Sequence, residues 1–534
     1  MADDLAVLHG DPLPDLPVRN LAEALVRAAR MTDAGEIVCL NGSSAPSVRS
    51  YADLLLDAAR ILRGARDRGV RPGDRVVLQI SDQLDLLAAF WACQLGGFVP
   101  VPLTADPPVG SPLSAAGLVA GVCGILDEPW VISPEGVGVP RWLGTVDGMR
   151  SESTAHDFHA VGLDDPAVLL LTSGSTGVPK AVTLTQRNIL SRAHATALVR
   201  GLSRRNRTFN WMPLDHVGGL IMFHVRDVFL GCHQVHARIP WVLEDPLRWL
   251  DAINEYRCDT TWAPNFAFGL VADQADRIAS RSWDLSTLVY VMNGGEAVKP
   301  KVARRFLSLL APFGLPPSAM HPGWGMSETS SGVVDCVLPA EDSTDEDRFV
   351  CVGRPHPGVS VRVVDDDGWP VKAGVIGRVQ VTGAPVTPGY YDNDRQNQQS
   401  FSVDGWFKTG DLGFVSAGGL TVTGRADDVI EIDGVAYYGH EIESAVEELP
   451  FVEPSFTVAC AGVSGGSLAV AFHPRSGTTS DLNNWRVVEH VANRFGIGVS
   501  RVCSVRKEDV AKTGIGKIKR LEVAQLLAAY LSAC

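Results

Sequence analysis

The chain has 534 residues, which exceeds the ~250–300 residues at which a single hydrophobic core usually stops growing, so we expect at least two domains. Its 47 basic and 61 acidic side chains give a formal net charge of −14, which argues against a general nucleic-acid-binding protein. Ten cysteines without a CxxC pair argue against a zinc ribbon or a compact disulfide framework. The N-terminal segment does not resemble a signal peptide and no run of ~18 apolar residues occurs, so we expect a cytoplasmic protein without a membrane partner.

Strand and helix signals alternate through the first part of the chain. Residues 75–80 (RVVLQI) predict a buried strand, followed by a helical pattern that Ser81 caps and two glycines stop. Residues 98–103 (FVPVPL) predict the next strand, and residues 167–171 and 288–292 predict further buried strands. This order favours an α/β domain with mostly parallel sheets and packed helices.

The pattern changes after Gly424. Residues 429–432 predict a short strand, residues 440–448 a helix, and the segment after Lys519 a closing helix. These signals are typical of a small α+β domain of ~100 residues. We therefore predict a large domain, a hinge and a small mobile domain, with the bounds 1–424, 425–428 and 429–534.

A loop rich in glycine and hydroxyl side chains follows the predicted strand at residues 167–171. It spans residues 172–180 and reads TSGSTGVPK. Glycines let main-chain N–H groups converge on an anion, hydroxyls donate hydrogen bonds, and a lysine adds positive charge, so the loop suits phosphate. An ordinary polar turn is the alternative, and the Walker pattern is absent. The candidate phosphate-binding residues are Thr172, Ser173, Gly174, Ser175, Thr176, Gly177 and Lys180.

The string TSGSTGVPK resembles the phosphate loop of the adenylate-forming superfamily, which includes acyl-CoA synthetases, acyl-AMP ligases, nonribosomal peptide adenylation domains and luciferases. The resemblance implies an enzyme that uses ATP and Mg2+ to convert a carboxylic acid to acyl-AMP with release of pyrophosphate. Five further segments between residues 293 and 517 match the motifs of this superfamily in their usual order.

Residues 323–329 (GWGMSET) resemble the motif that contacts adenine, the α-phosphate and the metal. The resemblance assigns Trp324 to the adenine, Ser327 to the α-phosphate and Glu328 to Mg2+, and Met326 would border the acid. One carboxylate suits Mg2+, which keeps several waters and binds substrate phosphates. Alone, the segment would predict a capped turn.

Two other segments resemble nucleotide-binding motifs. Gly294, Gly295 and Glu296 follow the predicted strand at residues 288–292, and glycines there would let the main chain approach the base or the acyl chain. Residues 406–411 (WFKTGD) resemble the segment whose aspartate, here Asp411, accepts hydrogen bonds from both ribose hydroxyls. Each segment alone would predict a simple turn.

The hinge and the C-terminal lysine complete the series. Residues 424–427 (GRAD) resemble the hinge motif, in which Arg425 reaches ribose or phosphate and Asp427 is the pivot. Residues 512–517 (KTGIGK) resemble the motif whose last lysine, Lys517, bridges the substrate carboxylate and the α-phosphate. A surface ion pair and a solvated loop lysine are the alternatives.

Three segments bear on the acid that is activated. Residues 211–219 (WMPLDHVGG) place His216 where the family positions a gating side chain, and the neighbouring Asp215 is a weaker substrate candidate because amino-acid-activating domains carry their aspartate in a different local pattern. Asn265 and Phe266 would line the acyl side, although an apolar helix start in the core is an equal alternative. The surrounding sequence resembles fatty acyl-AMP ligases and loading domains of polyketide and hybrid assembly lines, which favours a non-amino acid over an amino acid.

Two departures and one rival pattern remain. Pro322 stands where many relatives carry an amide that reads adenine, and residues 339–353 are too short for the insertion by which acyl-AMP ligases oppose CoA. The acceptor is therefore left open among CoA, an amine and the phosphopantetheine thiol of a carrier protein, which would be a separate partner. Residues 462–466 (GVSGG) match the nucleophile elbow of serine hydrolases around Ser464, but a glycine-rich turn explains them more simply.

Overall fold

The computed structural model of the chain describes most of its length. The described residues are 5–42, 44–105, 107, 114–134, 138–173, 179–339, 344, 347–461, 467–475, 481–513, 516, 518–520 and 522–525. Within these ranges, no helix combines the length and the apolar character that crossing a membrane requires.

The described strands and helices alternate over much of the chain. The strands are β1 Val7–His9, β2 Glu36–Asn41, β3 Ser44–Ser50, β4 Arg75–Leu78, β5 Val99–Pro102, β6 Trp130–Ile132, β7 Trp142–Gly144, β8 Pro166–Ser173, β9 Pro179–Thr185, β10 Arg207–Asn210, β11 His233–His236, β12 Thr260–Ala263, β13 Tyr290–Asn293, β14 Met320–Met326, β15 Ser331–Asp335, β16 Cys351–Pro355, β17 Val359–Val364, β18 Gly377–Gly383, β19 Gly389–Tyr390, β20 Phe407–Ser416, β21 Gly419–Arg425, β22 Val429–Ile432, β23 Val435–Tyr438, β24 Val452–Ala461, β25 Leu468–Pro474 and β26 Val499–Ser504. The α-helices are α1 Leu21–Arg30, α2 Tyr51–Asp67, α3 Gln83–Gly96, α4 Ala115–Leu126, α5 Val146–Met149, α6 Gln186–Arg200, α7 Arg226–Leu230, α8 Ile239–Glu244, α9 Leu247–Tyr256, α10 Asn265–Ala272, α11 Ala275–Ile278, α12 Pro300–Leu310, α13 Asp394–Ser400, α14 Gly439–Glu447 and α15 Asp481–Phe495.

The largest sheet has 14 strands and changes from parallel to antiparallel pairing at β14. Its order is β1-β17-β18-β20-β21-β16-β15-β14-β13-β12-β10-β11-β2-β3. Strand β14 pairs in parallel with β13 and antiparallel with β15. The segment GWGMSET therefore lies where the two halves of the sheet meet, and this position sets the geometry of the site.

A smaller parallel sheet confirms the strand, helix, strand prediction. Its order is β5-β4-β6-β7, and α3 connects β4 to β5. The predicted cap of α3 was wrong by one residue, because the carboxylate of Asp82, and not Ser81, accepts the N–H of Asp85 at 2.9 Å. Gly97 ends the helix with a φ of 68°, a left-handed conformation that suits glycine.

Two further predicted strands are present with shifted bounds. Residues 167–171 fall within β8, which forms a three-stranded sheet with β9 and β19. The strand predicted at residues 288–292 begins two residues later, as β13. Residues 167–170 and strand β13 are buried, which confirms the α/β prediction for the N-terminal part of the chain. Its sheets are mixed and not mostly parallel, because β8 pairs antiparallel with β9 and the neighbouring strands from β15 to β21 in the large sheet are also antiparallel.

The C-terminal part has its own hydrophobic core. Helices α14 and α15 and strands β22, β24, β25 and β26 supply it, with side chains between Ile430 and Val502. The predicted helix at residues 440–448 corresponds to α14, and the predicted closing helix is described only at residues 520 and 522–525. The predicted boundary at residues 425–428 stays a prediction, and this separate core supports it.

Candidate active site

Glu328 lies at the centre of the site, on a 3-10 turn (Ser327–Thr329) that follows β14. Its side chain is buried, and Oε1 accepts a hydrogen bond from the hydroxyl of Tyr390 at 2.8 Å. Burial raises the pKa of Glu328, while the hydrogen bond from Tyr390 and the charges of Arg425 and Lys180 act in the opposite direction. A buried carboxylate beside cations is suited to bind a metal ion that carries anionic ligands.

Lys180 reaches the same place from the hairpin formed by β8 and β9. In the register of this hairpin Lys180 is paired with Thr172. The ammonium of Lys180 lies 5.3 Å from the centroid of the Tyr390 ring. Burial lowers the pKa of Lys180, and the nearby carboxylate of Glu328 partly offsets this. Tyr390 therefore contacts the predicted phosphate lysine with its ring and the predicted metal ligand with its hydroxyl.

The centre of the predicted phosphate loop lies outside the described residues. Gly174, Ser175, Thr176 and Gly177 are among these positions, and the structure describes Ser173 only in its main chain. The two described ends of the loop, Thr172 and Lys180, are fixed by strands β8 and β9.

A second group of side chains surrounds Asp411 on β20. Asp411 is buried and lies opposite Arg425 of β21 in the strand register. Its Oδ2 accepts the indole N–H of Trp324 at 2.8 Å, and its Oδ1 lies 3.2 Å from Nη1 of Arg425. Burial lowers the pKa of Arg425, but Asp411 and three further carboxylates outweigh it and the pKa is raised. The structure thus brings together three residues that the sequence predicts for the nucleoside.

Glycine is required beside Asp411. Gly410 has a φ of 77°, in the left-handed region. A Cβ atom at this position would lie 2.9 Å from Nη2 of Arg425. Any larger side chain would therefore disturb both the main chain and the arginine.

The glycines of residues 293–296 make close main-chain contacts. A Cβ on Gly294 would lie 2.5 Å from the carbonyl oxygen of Gly323, and Gly295 has a φ of 84°. Glu296 accepts the main-chain N–H of Phe266 at 2.6 Å and so holds the start of helix α10. This segment therefore packs against β14 through Gly294 and against the predicted acyl side through Glu296.

The predicted acyl side is rich in aromatic rings. The rings of His216 and Trp262 are stacked, with centroids 6.4 Å apart and planes 9° apart, and Nδ1 of His216 accepts the N–H of Gly218 at 3.1 Å. A Cβ on Gly218 would lie 2.2 Å from the Trp262 ring, so glycine is needed there. Burial raises the pKa of Asp215 to about 6, and its own main chain acts in the opposite direction.

Asn265 and Phe266 begin helix α10 with different contacts. The side chain of Asn265 is buried, and its Oδ1 accepts from Nδ2 of Asn293 at 3.3 Å and from the main-chain N–H of Lys299 at 3.0 Å. Phe266 is half-buried, and a Cβ on Gly516 would lie 2.7 Å from its ring. Asn265 therefore stabilises the surrounding loops, while Phe266 contacts the segment that precedes Lys517.

The remaining predicted residues lie partly in the C-terminal part and partly beside Glu328. Lys517 and Ser464 are outside the described residues, so their roles stay predictions. Asp427 lies on a 3-10 turn (Ala426–Asp428) directly after Arg425. Met326 and Ser327 are half-buried beside Glu328.

Tyr390 is the residue that the sequence interpretation missed. It stands in the string PGYYDN at residues 388–393, which reads as a turn. Its hydroxyl donates to Glu328, 62 positions away in the chain. A tyrosine after a Pro-Gly pair is the only local signal, and it does not indicate the partner.

Comparison with known proteins is consistent with this geometry. The model of the AMP-binding enzyme family matches residues 26–391. The nonribosomal peptide synthetase apvA of Aspergillus terreus is 30% identical over 550 residues, which cover 96% of this chain and 58% of the relative. The aspulvinone E synthetase melA of the same fungus is 33% identical over 461 residues, covering 82% and 50%. The chain thus spans about half the length of these curated relatives.

Two solved structures are similar in both sequence and fold. McyG A-PCP complexed with phenylalanyl-adenylate is 36% identical, with a TM-score of 0.92 and coverage of 98% of this chain and 97% of the other. The adenylation domain of a keto acid-selecting NRPS module bound to keto acyl adenylate is 34% identical, with a TM-score of 0.77 and coverage of 94% and 100%. The chain therefore belongs to the AMP-binding enzyme family and is an ATP-binding adenylation domain that activates an acid as its acyl-adenylate.

Proposed function

We propose that the chain activates a 2-oxo acid with an apolar or aromatic side chain and then passes the acyl group to a thiol. The observation that supports this is the meeting of two unlike surfaces. Glu328, Lys180, Asp411 and Arg425 supply charges for a nucleotide. The aromatic surface around Trp262 reaches this region through two glycines, because a Cβ on Gly295 would lie 3.4 Å from Trp262 and a Cβ on Gly294 would lie 2.5 Å from the carbonyl oxygen of Gly323.

The first step is an in-line displacement at the α-phosphorus of ATP. A carboxylate oxygen of the acid forms a bond to phosphorus, the bond to the bridging oxygen breaks, and pyrophosphate leaves with that electron pair. Lys180 and Lys517 offset the charge that develops, and the hydroxyl of Ser327 donates to the α-phosphate. Asp411 accepts the ribose hydroxyls, and Arg425 holds its carboxylate in place.

Glu328 fits a magnesium ion that is shared with the phosphates. Among the described residues, no group of three or more His, Cys, Asp or Glu side chains could hold a metal by itself. A single buried carboxylate plus phosphate oxygens and water is a donor set that Mg2+ accepts. When bound, the ion would neutralise charge on the leaving pyrophosphate.

The choice of a 2-oxo acid has two supports. The acyl side is formed by rings, such as His216, Trp262 and Phe266, and an ammonium left unpaired there would pay a desolvation cost. The adenylation domain bound to keto acyl adenylate is 34% identical to this chain. Asp215 is the residue on which an amino acid would depend instead.

The second step requires the small domain to move. Rotation about Asp427 would withdraw Lys517 and admit a thiol, which attacks the acyl carbon and releases AMP. The acceptor is the phosphopantetheine of a carrier protein or CoA. The curated relatives are synthetases about twice as long as this chain, so their remaining length has room for a carrier protein, which favours that acceptor.

Acids that differ only at the α-carbon test the substrate. Pyrophosphate release is measured with phenylpyruvate, phenylalanine and 3-phenylpropionate at equal concentrations. We expect a kcat/KM for phenylpyruvate at least about tenfold above that for phenylalanine, because a buried unpaired charge costs more than 1.4 kcal/mol. A preference for phenylalanine that Asp215→Asn abolishes would contradict the proposal.

Two substitutions test the residues of the first step. Glu328→Gln and Lys517→Ala are each expected to slow pyrophosphate release about 10²- to 10³-fold, as loss of a group that stabilises transition-state charge does elsewhere. Ser464→Ala is the control and should match the parent enzyme. Ester hydrolysis that needs Ser464 and no acid or ATP would favour the hydrolase alternative.

A further inference from the structure

Among the described residues, three ion pairs join the N-terminal part of the chain to helix α14 or to Glu448, which directly follows it. They are Lys299 with Glu447 at 3.1 Å, Lys301 with Glu448 at 2.9 Å and Arg348 with Glu441 at 2.7 Å. The first pair is the least exposed, because its side chains are 29% and 14% exposed, against 59% and 43% for the second. Exposed pairs contribute little, so the pair of Lys299 and Glu447 is expected to dominate.

Lys299 is also attached to the predicted acyl side. It precedes helix α12, and its main-chain N–H donates to the side chain of Asn265, the first residue of α10. Glu296, three positions before it, accepts the N–H of Phe266. Burial lowers the pKa of Lys299, but Glu447 and Glu296 outweigh it, and the lysine stays charged. The cation of the pair is therefore fixed to the start of α10.

Glu447, at the other end of the pair, belongs to the predicted small domain of residues 429–534, which is called the lid below. It is the last residue of α14, and its Oε1 accepts the main-chain N–H of Ser455 at 2.7 Å. It also faces Lys512, whose ammonium lies 3.3 Å from the centroid of the Phe456 ring. Burial lowers the pKa of Lys512 to about 8, and the charge of Glu447 offsets part of that effect. The carboxylate thus lies beside the segment KTGIGK.

This segment makes a second contact with the acyl side. An antiparallel bridge joins Lys512 to Ile518, so these two residues lie side by side. Gly516 adjoins the ring of Phe266 closely enough that a Cβ would lie 2.7 Å from it. Lys512 therefore faces Glu447, while Gly516 contacts α10.

We propose that Lys299 and Glu447 are positioning residues, which fix the lid in the arrangement that forms the acyl-adenylate by tying Lys512 to helix α10. The inference rests on the two-step function proposed above. The pair touches neither ATP nor the reacting carboxylate, so it acts through the placement of Lys517. Breaking it slows the first step and leaves the second step, which needs the lid to move away, at its original rate.

The test separates the two steps. Hydroxylamine traps the acyl-adenylate, so pyrophosphate release in its presence reports formation of acyl-AMP without a thiol. Transfer to pantetheine is measured separately in a single turnover from acyl-AMP already formed on the enzyme. For Lys299→Met we expect the kcat of the first step to fall about tenfold, since the exposure of the ion pair is intermediate between that of a surface pair and that of a buried pair. The KM for ATP and the transfer rate should stay within about twofold.

Matched variants keep the test decisive. Lys301→Met removes the exposed pair on the same helices and should leave both steps unchanged, while Glu447→Gln should reproduce the loss. Lys299→Arg keeps a cation beside both Glu447 and Glu296 and should retain most of the first-step activity, so that the loss in Lys299→Met is assigned to the charge. Thermal unfolding midpoints are compared for all of them.

The outcomes are distinguishable. If the parent enzyme releases no pyrophosphate with any acid, the proposed function fails. If the parent enzyme is active, three results would overturn the positioning role of Lys299 and Glu447. These are a first-step rate of Lys299→Met equal to that of the parent, an equal loss of first-step rate in Lys301→Met, and a parallel slowing of both steps in Lys299→Met.

Discussion

The nucleotide side and the acyl side of the site are built in different ways. On the nucleotide side, Asp411 and Arg425 are neighbours in the register of β20 and β21, and Trp324 donates to the same carboxylate. On the acyl side, the rings of Trp262 and Phe266 come from separate elements and contact the lid through Gly516. Strand pairing fixes the first geometry, whereas the second depends on packing between α10 and the C-terminal part, which the proposed second step requires to move apart. Substitutions on the two sides should therefore affect different kinetic constants.

Of the three substitutions that compare the two sides, Asp411→Asn is expected to have the largest effect. The amide replaces the carboxylate that faces Arg425 and that the ribose would contact, and hydrogen bonds to charged groups contribute about 1.5–3 kcal/mol. We expect kcat/KM for ATP to fall about 10- to 100-fold. The KM for the acid should stay within about twofold. Pyrophosphate release at varied ATP and at varied acid gives both constants.

Asp404 provides the matched control for this prediction. It pairs with Arg362 at 2.6 Å on the same sheet, but it is largely exposed and lies outside the proposed site. Asp404→Asn should leave both kinetic constants unchanged. If Asp411→Asn lowers kcat/KM for the acid through a higher KM as much as it lowers kcat/KM for ATP, the division between the two sides is wrong.

A smaller effect is expected from Phe266→Ala. Loss of a half-buried ring removes apolar contact worth about 1.5–3 kcal/mol when complete. We expect the preference for phenylpyruvate over pyruvate, taken as a ratio of kcat/KM, to fall about tenfold, with the KM for ATP unchanged. The ratio cancels losses that arise through the lid, since those affect both acids. An unchanged ratio of kcat/KM would contradict the placement of Phe266 on the acyl side.

The smallest effect is expected from Tyr390→Phe. The ring under Lys180 remains, but Glu328 loses a hydrogen bond that lowers its pKa, so this raised pKa rises further. Activity needs the ionised carboxylate and is lost as the pH falls through that pKa. The variant should therefore lose activity at a higher pH than the parent, with only a few-fold loss at pH 8.

Tyr391→Phe is the neighbouring control for the pH profile. The ring of Tyr391 lies under Arg75, 5.7 Å away, and the substitution keeps that ring. Its profile should match that of the parent. An acid limb that moves to lower pH in Tyr390→Phe would contradict the assigned effect of the hydroxyl on Glu328.

The sequence predicts the secondary structure and the motifs of this molecule better than its long-range contacts. The α/β fold follows from apolar runs and helix stops, which are local, although the cap of α3 is Asp82 and not Ser81. Glu328 and Asp411 stand in recognisable motifs. The contact of Glu328 with Tyr390 was not predicted, and neither was that of Lys299 with Glu447, because their partners are 62 and 148 positions apart.

Long-range packing also changes the interpretation of one predicted residue. Asn265 was expected to line the acyl side or to start a packed helix. Its side-chain oxygen accepts two hydrogen bonds from neighbouring loops, which favours the second alternative. A motif reveals which residue type is present, but only the folded chain shows what its atoms contact.

The conformation of Gly410 limits the substitutions that the sequence can accept during evolution. Its left-handed main chain and the guanidinium of Arg425 each oppose a side chain at position 410. Relieving one constraint leaves the other, so loss of the arginine alone would not free position 410. We expect glycine to persist at position 410 even in homologues that have another residue at position 425, because the left-handed main chain opposes a side chain by itself.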